Sequence, residues 1–356
     1  MEHFRIIGLM SGTSLDGVDV VDITLTNDSS LEWSFIIHHA KTYPYSKNII
    51  QKLQNATRLS AIDLQLLDHE LGLYFGAIVN EFVRDFSLDK DKITAVASHG
   101  HTIFHQPEKG VTLQIGNGVE GSLISGLKWV CDFRSKDVAL EGNGAPLVPV
   151  GDAYLFSALS DSFLNLGGFS NISFRNNGQW TAFDICPVNL IFNHFSKAFG
   201  LVYDKNGELG RKGVLDIPLY DKLNSISYYH KVGAKSLGKE WLEEEFFPII
   251  YNKKNIENVI TTCYHHVAFQ LLEILNNNNL SSVFITGGGA KNKFLIELLT
   301  KKYSGKIIIP SEELVDFKEA VVFGLLGALR LKNEVNVFSS VTGARKDSCS
   351  GVIHFP

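Results

Sequence analysis

The stretch IIGLMSGTSLDGVDVVDITL, residues 6–25, decides how the chain is read. An apolar run from Ile6 to Leu9 breaks into Met10-Ser11-Gly12-Thr13-Ser14-Leu15-Asp16-Gly17. Val18-Asp19-Val20-Val21-Asp22-Ile23-Thr24-Leu25 then turns β-branched and roughly alternating again. That pattern predicts a strand on each side of the polar loop. A P-loop would need GxxxxGK[ST] running into a helix, and a dinucleotide fingerprint would need GxGxxG opening one; the chain has neither. The stretch therefore reads as a β-hairpin whose tip offers hydroxyls, backbone amides and a carboxylate.

The design returns at SFLNLGGFSNISFRNNGQWTAFDI, residues 162–185. Phe163, Leu164 and Leu166 lead into Gly167-Gly168, Ser170 to Phe174 reads as a strand, Asn176-Asn177-Gly178 as a hairpin turn, and Trp180 to Ile185 as a third strand. A third glycine turn, in SVFITGGGAKNKFLIELLTKKY (residues 282–303), differs. There a buried-type strand meets Gly287-Gly288-Gly289 and a helical pattern of Phe294, Leu295, Leu298 and Leu299 follows. A glycine turn feeding a helix exposes free amides and the positive end of the helix dipole, which suits a phosphate or nucleotide. Two hairpin tips facing each other would grip a polyphosphate through backbone amides. One glycine turn says little, because glycine's first use is a positive φ; three in this order form a pattern.

Composition bounds the rest. The 356 residues are 45% hydrophobic and 20% charged, which suits two soluble globular domains. Net charge is −5 with no basic stripe, so nucleic acid is not an expected partner. Cys131, Cys186, Cys263 and Cys349 form no CxxC pair, which argues against a zinc ribbon or a disulfide framework. No secretory leader and no run of about 20 apolar residues is seen, so the expectation is a cytoplasmic protein without a membrane partner.

The three turns resemble the fold shared by sugar kinases, actin and the large heat-shock chaperones: an α/β, two-domain, actin-like ATPase (ribonuclease H-like) fold with a central cleft. Further stretches narrow the resemblance. GLMSGTSLDGVD (8–19), SHGHTIFHQP (98–107), TLQIGNG (112–118), DFRSKDVA (132–139), GAPLVP (144–149), LNLGGFSNIS (164–173), ITGGGAKN (285–292) and SVTGA (340–344) together resemble the anhydro-N-acetylmuramic acid kinase family. The likeness implies an enzyme that hydrolyses the anhydro bridge of 1,6-anhydro-N-acetylmuramic acid and phosphorylates its 6-oxygen. The products would be N-acetylmuramic acid 6-phosphate and ADP, in cell-wall recycling. One domain would span 1–155 plus 331–356, and the other 156–330.

Opening an anhydro sugar needs a base to activate water at the anomeric carbon while the 6-oxygen leaves toward phosphorus. The resemblance implies Asp184, in AFDICPVN, as that base, with Glu319, in FKEAVVFG, helping to hold the water. ATP would lie on Ser11, Gly12, Thr13, Ser14, Leu15, Asp16, Gly17, Val18 and Asp19, on Gly167, Gly168 and Phe169, and on Gly287, Gly288, Gly289 and Asn292. Asp16 would hold magnesium. His99, Asp132, Arg134 and Asn189 would face the sugar, Arg134 reaching the lactyl carboxylate. A homodimer is allowed for. Two rival readings stand beside this one: a kinase of a different amino or anhydro sugar, and a nucleotide-gated switch on the same fold.

Some positions depart from the family pattern. FDICPVN has Cys186 and Val188 where many members carry glycine, and EGNGAPLVP has Glu141 and Asn143 where many read GGQGAPLVP; Gly210 stands where alanine is common. These leave loop geometry and sugar preference open, and an extra carboxylate at Glu141 suits the site only if it faces solvent. Other residues have plain readings. His99, His101 and His105 have a spacing that zinc could use, but without a clustered fourth ligand they read as packing, capping and sugar-site groups. Asp132 and Arg134 could form a salt bridge. His265-His266 sits in a helical run as surface or core filler, Asn276–Asn279 reads as a loop, and Cys186 as a buried inert thiol.

Overall fold

The computed structural model describes every residue except 13, 29–32, 117, 232, 234 and 252–254. The chain divides into two compact units, Met1–Phe156 with Phe317–Pro356, and Ser157–Asp316. The first unit holds β1 (Glu2–Ser11), β2 (Gly17–Asn27), β3 (Trp33–Pro44), β4 (Ala95–Gln106), β5 (Val111–Ile115) and β6 (Trp129–Cys131). The second holds β7 (Ser162–Leu166), β8 (Phe169–Asn176), β9 (Gln179–Pro187), β10 (Ser282–Thr286) and β11 (Lys306–Ile308). The last strand, β12 (Val352–His354), returns to the first unit.

The two sheets are built on one plan. The first runs β12-β6-β4-β1-β2-β3, with β5 hung on β4, and the second runs β11-β10-β7-β8-β9. In each, three strands form an antiparallel meander, and two more add in parallel on the other side of the first strand. The parallel additions need crossovers, which the helices supply. This duplicated α/β plan is the ribonuclease H-like, two-domain arrangement expected from the glycine-tipped hairpins.

Each sheet is covered by an amphipathic helix. Helix Ala61–Asp85 is capped by Ser60, which accepts from the Asp63 amide, and buries Leu67, Leu71, Phe75, Ile78, Val79 and Phe82 at helical spacing. These pack with Ile7, Leu9, Val18 and Val20 of the hairpin. In the second unit, helix Ile256–Asn277 buries Val259, Cys263, Tyr264, Val267 and Leu271, and Tyr264 stacks on Phe192 at 3.8 Å. His266 is fully buried there, and Asn276 and Asn277 still belong to the helix, so the asparagine loop begins two residues later than the sequence suggests. Among the described residues no helix is long and apolar enough to cross a membrane.

The second crossing between the units falls at 316/317, not near 330. Helix Glu312–Leu331 runs straight through it. Its small residues let it press on the first sheet: a β-carbon on Gly8 would run into the Ala320 carbonyl, and ones on Gly324 and Gly327 would meet Ile23 Cδ1 at 2.6 Å and Ala97 Cβ at 2.5 Å. Glu319 is thereby a residue of the first unit.

Candidate active site

The tip of the first hairpin is raised on a buried footing. β1 and β2 pair without interruption from Glu2↔Asn27 to Ser11↔Val18. Ser11 and Val18 are buried, and the Ser11 hydroxyl lies 2.5 Å from the Tyr45 hydroxyl and 2.8 Å from His101 Nδ1. Gly17 is required because any β-carbon there would strike the Tyr43 carbonyl oxygen. Between these anchors Leu15 adopts a φ of 62° and donates its amide to the Gly12 carbonyl at 3.3 Å, while Ser14 and Asp16 are exposed. Thr13 lies outside the described residues. Asp19, on β2, accepts a 2.6 Å bond from Thr42 Oγ1.

Beneath the tip, His99 and Arg134 form one assembly. His99 is buried, with Nδ1 at 3.3 Å from the Ser11 carbonyl, and its Nε2 accepts from Arg134 Nε at 3.1 Å and Nη2 at 2.9 Å. Burial, with Arg134 beside it, pushes the His99 pKa down to about 3, so the ring is neutral with its proton on Nδ1. Both ring nitrogens are therefore committed, and His99 holds Arg134 in place. His101 is likewise pushed down to about 4 by burial, and His105 pairs with Thr112 Oγ1 at 3.2 Å, so the three histidines serve separate partners.

Arg134 also donates from Nη1 to the Gly144 carbonyl at 2.7 Å. Gly144 is placed by Asp137, which is buried and accepts from the Gly144 amide (2.8 Å) and the Thr342 hydroxyl (2.8 Å). The guanidinium lies in the field of Glu319 and Asp137, although burial lowers its pKa to about 10. Glu319 is exposed, yet desolvation raises its carboxyl above the usual glutamate value; Arg134 and Lys318 oppose the rise and Asp19 adds to it. Asp132 is not the ion partner of Arg134: its Oδ1 accepts the Ser135 amide at 3.2 Å, and its φ is 57°. It lines a separate cavity of about 330 Å³ with Thr112, Gln114, Gly118 and His354. Glu141 is exposed and pairs with Arg345 at 3.3 Å, so its carboxylate faces solvent.

In the second unit the two remaining glycine turns stand side by side. A β-carbon on Gly289 would meet Leu166 Cβ at 2.6 Å, and one on Gly287, whose φ is 80°, would meet Asn165 Oδ1 at 2.5 Å. Asn189 joins them: Nδ2 donates to the Leu166 carbonyl at 3.0 Å and its amide to the Gly167 carbonyl at 3.2 Å. Asn189 thus braces Leu166 and Gly167, and its side chain also lies 3.7 Å from where a β-carbon on Gly288 would stand and 3.6 Å from one on Gly289. Gly168 and Gly288 are exposed. Asn292 turns inward, where Oδ1 caps helix Lys293–Thr300 and Nδ2 donates to the Tyr264 hydroxyl at 2.7 Å.

Asp184 sits at a β-bulge. β8 and β9 pair Asn171↔Asp184 and then Ser170↔Cys186, which leaves Ile185 as the extra residue. Its amide donates to the Lys235 carbonyl at 3.0 Å, its carbonyl accepts from the Tyr228 hydroxyl at 2.8 Å, and its Oδ2 accepts from the Leu237 amide at 2.8 Å. Burial raises its carboxyl above the ordinary aspartate value, and the Leu237 amide opposes the rise. Cys186 and Val188 point into the core and have no positive φ, so this backbone needs no glycine there. The Cys186 thiol is pushed up to about 12 by burial and is inert. Tyr228, Leu237, Tyr45 and Lys318 carried no signal in the sequence, because each acts through a partner distant in the chain.

The anhydro-N-acetylmuramic acid kinase family model matches residues 4–356. The anhydro-N-acetylmuramic acid kinase of Francisella tularensis subsp. novicida (strain U112) is 31% identical, covering 99% of both chains. That of Sulfurovum sp. (strain NBC37-1) is 32% identical, over 99% of this chain and 100% of its own. Among solved structures, component A of the Acidaminococcus fermentans (R)-2-hydroxyglutaryl-CoA dehydratase aligns with a TM-score of 0.46 at 11% identity, over 90% of this chain and 96% of that one. The chain belongs to the anhydro-N-acetylmuramic acid kinase family, a family of sugar kinases.

Proposed function

We propose that this chain, as a member of that family, uses ATP to open and phosphorylate 1,6-anhydro-N-acetylmuramic acid in one active site. Water attacks the anomeric carbon, and Asp184 takes the proton that water gives up. The bond from that carbon to the 6-oxygen breaks, and the 6-oxygen forms its new bond to the γ-phosphorus of ATP as the bond from that phosphorus to the β–γ bridging oxygen breaks and ADP leaves; Asp184 then gives its proton to solvent. Anhydro sugar, water and ATP become N-acetylmuramic acid 6-phosphate and ADP.

The Asp184 carboxyl is the observation that carries this reading. It is half-buried, its Oδ2 is held by the Leu237 amide, and its proton affinity is raised by desolvation, as a general base requires. Glu319, kept beside Arg134, orients the water, and Arg134 offers its charge to the lactyl carboxylate. The tip Gly12–Asp16 and the turns Gly167–Phe169 and Gly287–Gly289 bind ATP, with Asn189 bracing the latter two. Ser11, His99 and Asn292 serve as supports, their polar side-chain atoms already committed. Oxygen donors at an exposed tip suit a hard divalent cation, so Asp16 would hold magnesium, which neutralises phosphate charge when bound. Recycling of cell-wall sugar in the cytoplasm fits this substrate, with a homodimer as the proposed assembly.

The test is ADP release with ATP and magnesium, with and without the anhydro sugar. Strong stimulation by the sugar supports the reading. Stimulation by a different amino sugar alone would move the substrate, and ATP binding without sugar-stimulated turnover would favour a nucleotide-gated switch.

A further inference from the structure

The chain leaves the first unit after Phe156 and re-enters it at Phe317. Asp152 stands just before the exit and Lys318 just after the return. Both are almost completely buried, at 2% and 4% exposure, and Lys318 Nζ lies 2.6 Å from Asp152 Oδ1. The same ammonium lies 5.3 Å from the centre of the Phe156 ring, on the last residue before the exit. One cation therefore ties together the two segments that join the units.

Burying two charges is costly, and apolar side chains of similar size would often stabilise such a place as well or better. What an ion pair adds is direction. Lys318 fixes one side of the incoming helix, and the close seat of the Ala320 carbonyl on Gly8 fixes its height over β1. Between them is Glu319, which lies in the field of Arg134, Asp19 and Lys318. A roll of this helix would swing Glu319 away from Arg134, and Arg134 itself cannot follow because His99 and Gly144 hold it.

We infer that Asp152 and Lys318 are positioning residues for the kinase reaction: their buried ion pair locks this helix where it enters the first unit and so aims Glu319. The inference rests on the role given to Glu319 above. Neither residue touches substrate.

The experiment uses the full chain with ATP, magnesium and the anhydro sugar, and records thermal stability, kcat and KM. The variants are Lys318→Met, Asp152→Leu, the two combined, Glu319→Gln, and all three together. Each single change at the pair removes one charge of a buried ion pair, so stability and activity both fall. The double change restores stability, yet kcat stays down roughly ten- to a hundredfold with KM for ATP near the parent value, the scale of a misplaced catalytic group. Adding Glu319→Gln to the double change costs little more than Glu319→Gln alone, because both act through one group. A stable double variant with parental kcat, beside an impaired Glu319→Gln, overturns the positioning role and leaves the reading of Glu319 intact. A fully active Glu319→Gln overturns both. If the double variant does not fold, Lys318→Arg decides: it keeps the charge but changes the reach and geometry of the head group. Severalfold lower kcat at parental stability supports the inference, and parental kcat overturns it.

Discussion

The carboxyls of Glu319 and Asp184 are both raised by desolvation, but their neighbourhoods differ. Glu319, in the first unit, has two cations pulling against the rise, Arg134 and Lys318. Asp184, in the second, has the Leu237 backbone amide opposing it, at 2.8 Å from Oδ2. The contrast extends to the surroundings. The first unit buries charge next to its group, in the pair Lys318–Asp152. The second binds Asp184 through the Lys235 carbonyl, the Tyr228 hydroxyl and the Leu237 amide, none of them charged. A carboxyl opposed by cations is suited to stay charged and orient a partner; one without them is suited to accept a proton. The same sheet plan thus carries two carboxyls prepared for different work.

The largest effect that could break this contrast is at Asp184. Asp184→Asn removes the base while keeping its shape, and sugar-dependent ADP release should fall roughly 10²- to 10⁴-fold. In the parent enzyme kcat/KM should drop on acidification through a value above the ordinary aspartate 3.8, because protonation removes the base and the folded protein raises that pKa. Retained activity in the variant would move the base elsewhere.

Arg134→Gln comes next. It removes the guanidinium bonds to His99 and Gly144 and one of the two cations opposing the Glu319 rise. Turnover should fall about tenfold or more, and the Glu319 titration should move further up; an unchanged pH profile would uncouple the two residues.

Acid stability sharpens the comparison from another side. His99 and His266 are held near 3 and His101 near 4, against 6.5 in the unfolded chain, all by burial. Their folded pKa values are depressed, so their stabilisation is complete above about pH 6.5 and is lost as pH falls toward about 4 for His101 and about 3 for His99 and His266. Each can contribute up to about 1.4 kcal/mol per pH unit in that window. Denaturant unfolding at pH 7, 6 and 5 should show the loss, and His266→Gln should flatten the slope by one histidine's share. The smallest effect is at Tyr228→Phe, which frees the Asp184 carbonyl. About 0.5–1.5 kcal/mol of stability should go, with a modest fall in kcat; a fall as large as that of Asp184→Asn would make Tyr228 a direct participant.

The hairpins were legible because local periodicity and glycine placement specify them: β1 with β2, then β7, β8 and β9, all lie where the sequence puts them. The crossing at 316/317 was not, since the helical pattern of Glu312–Leu331 is continuous and no loop residue marks the place. The family stretches made Asp184, Glu319 and Arg134 visible as candidates, but not what holds them. His99 meets Arg134 across 35 residues, and Tyr228 reaches Asp184 across 44. The bulge at Ile185 shows only in the register of β8 against β9. Asn189 illustrates the same limit: the family stretch marks it as a site residue, and only the folded position shows that it braces the glycine turns.

The most direct single measurement is turnover of the anhydro sugar with ATP and magnesium in ¹⁸O-labelled water, with the products read at once by mass spectrometry. The expected result is ADP with a sugar phosphate that carries one heavy oxygen at the anomeric carbon and none in its phosphoryl group. Label in the phosphate, or a phosphorylated product that still holds its anhydro bridge, would contradict the role given to Asp184.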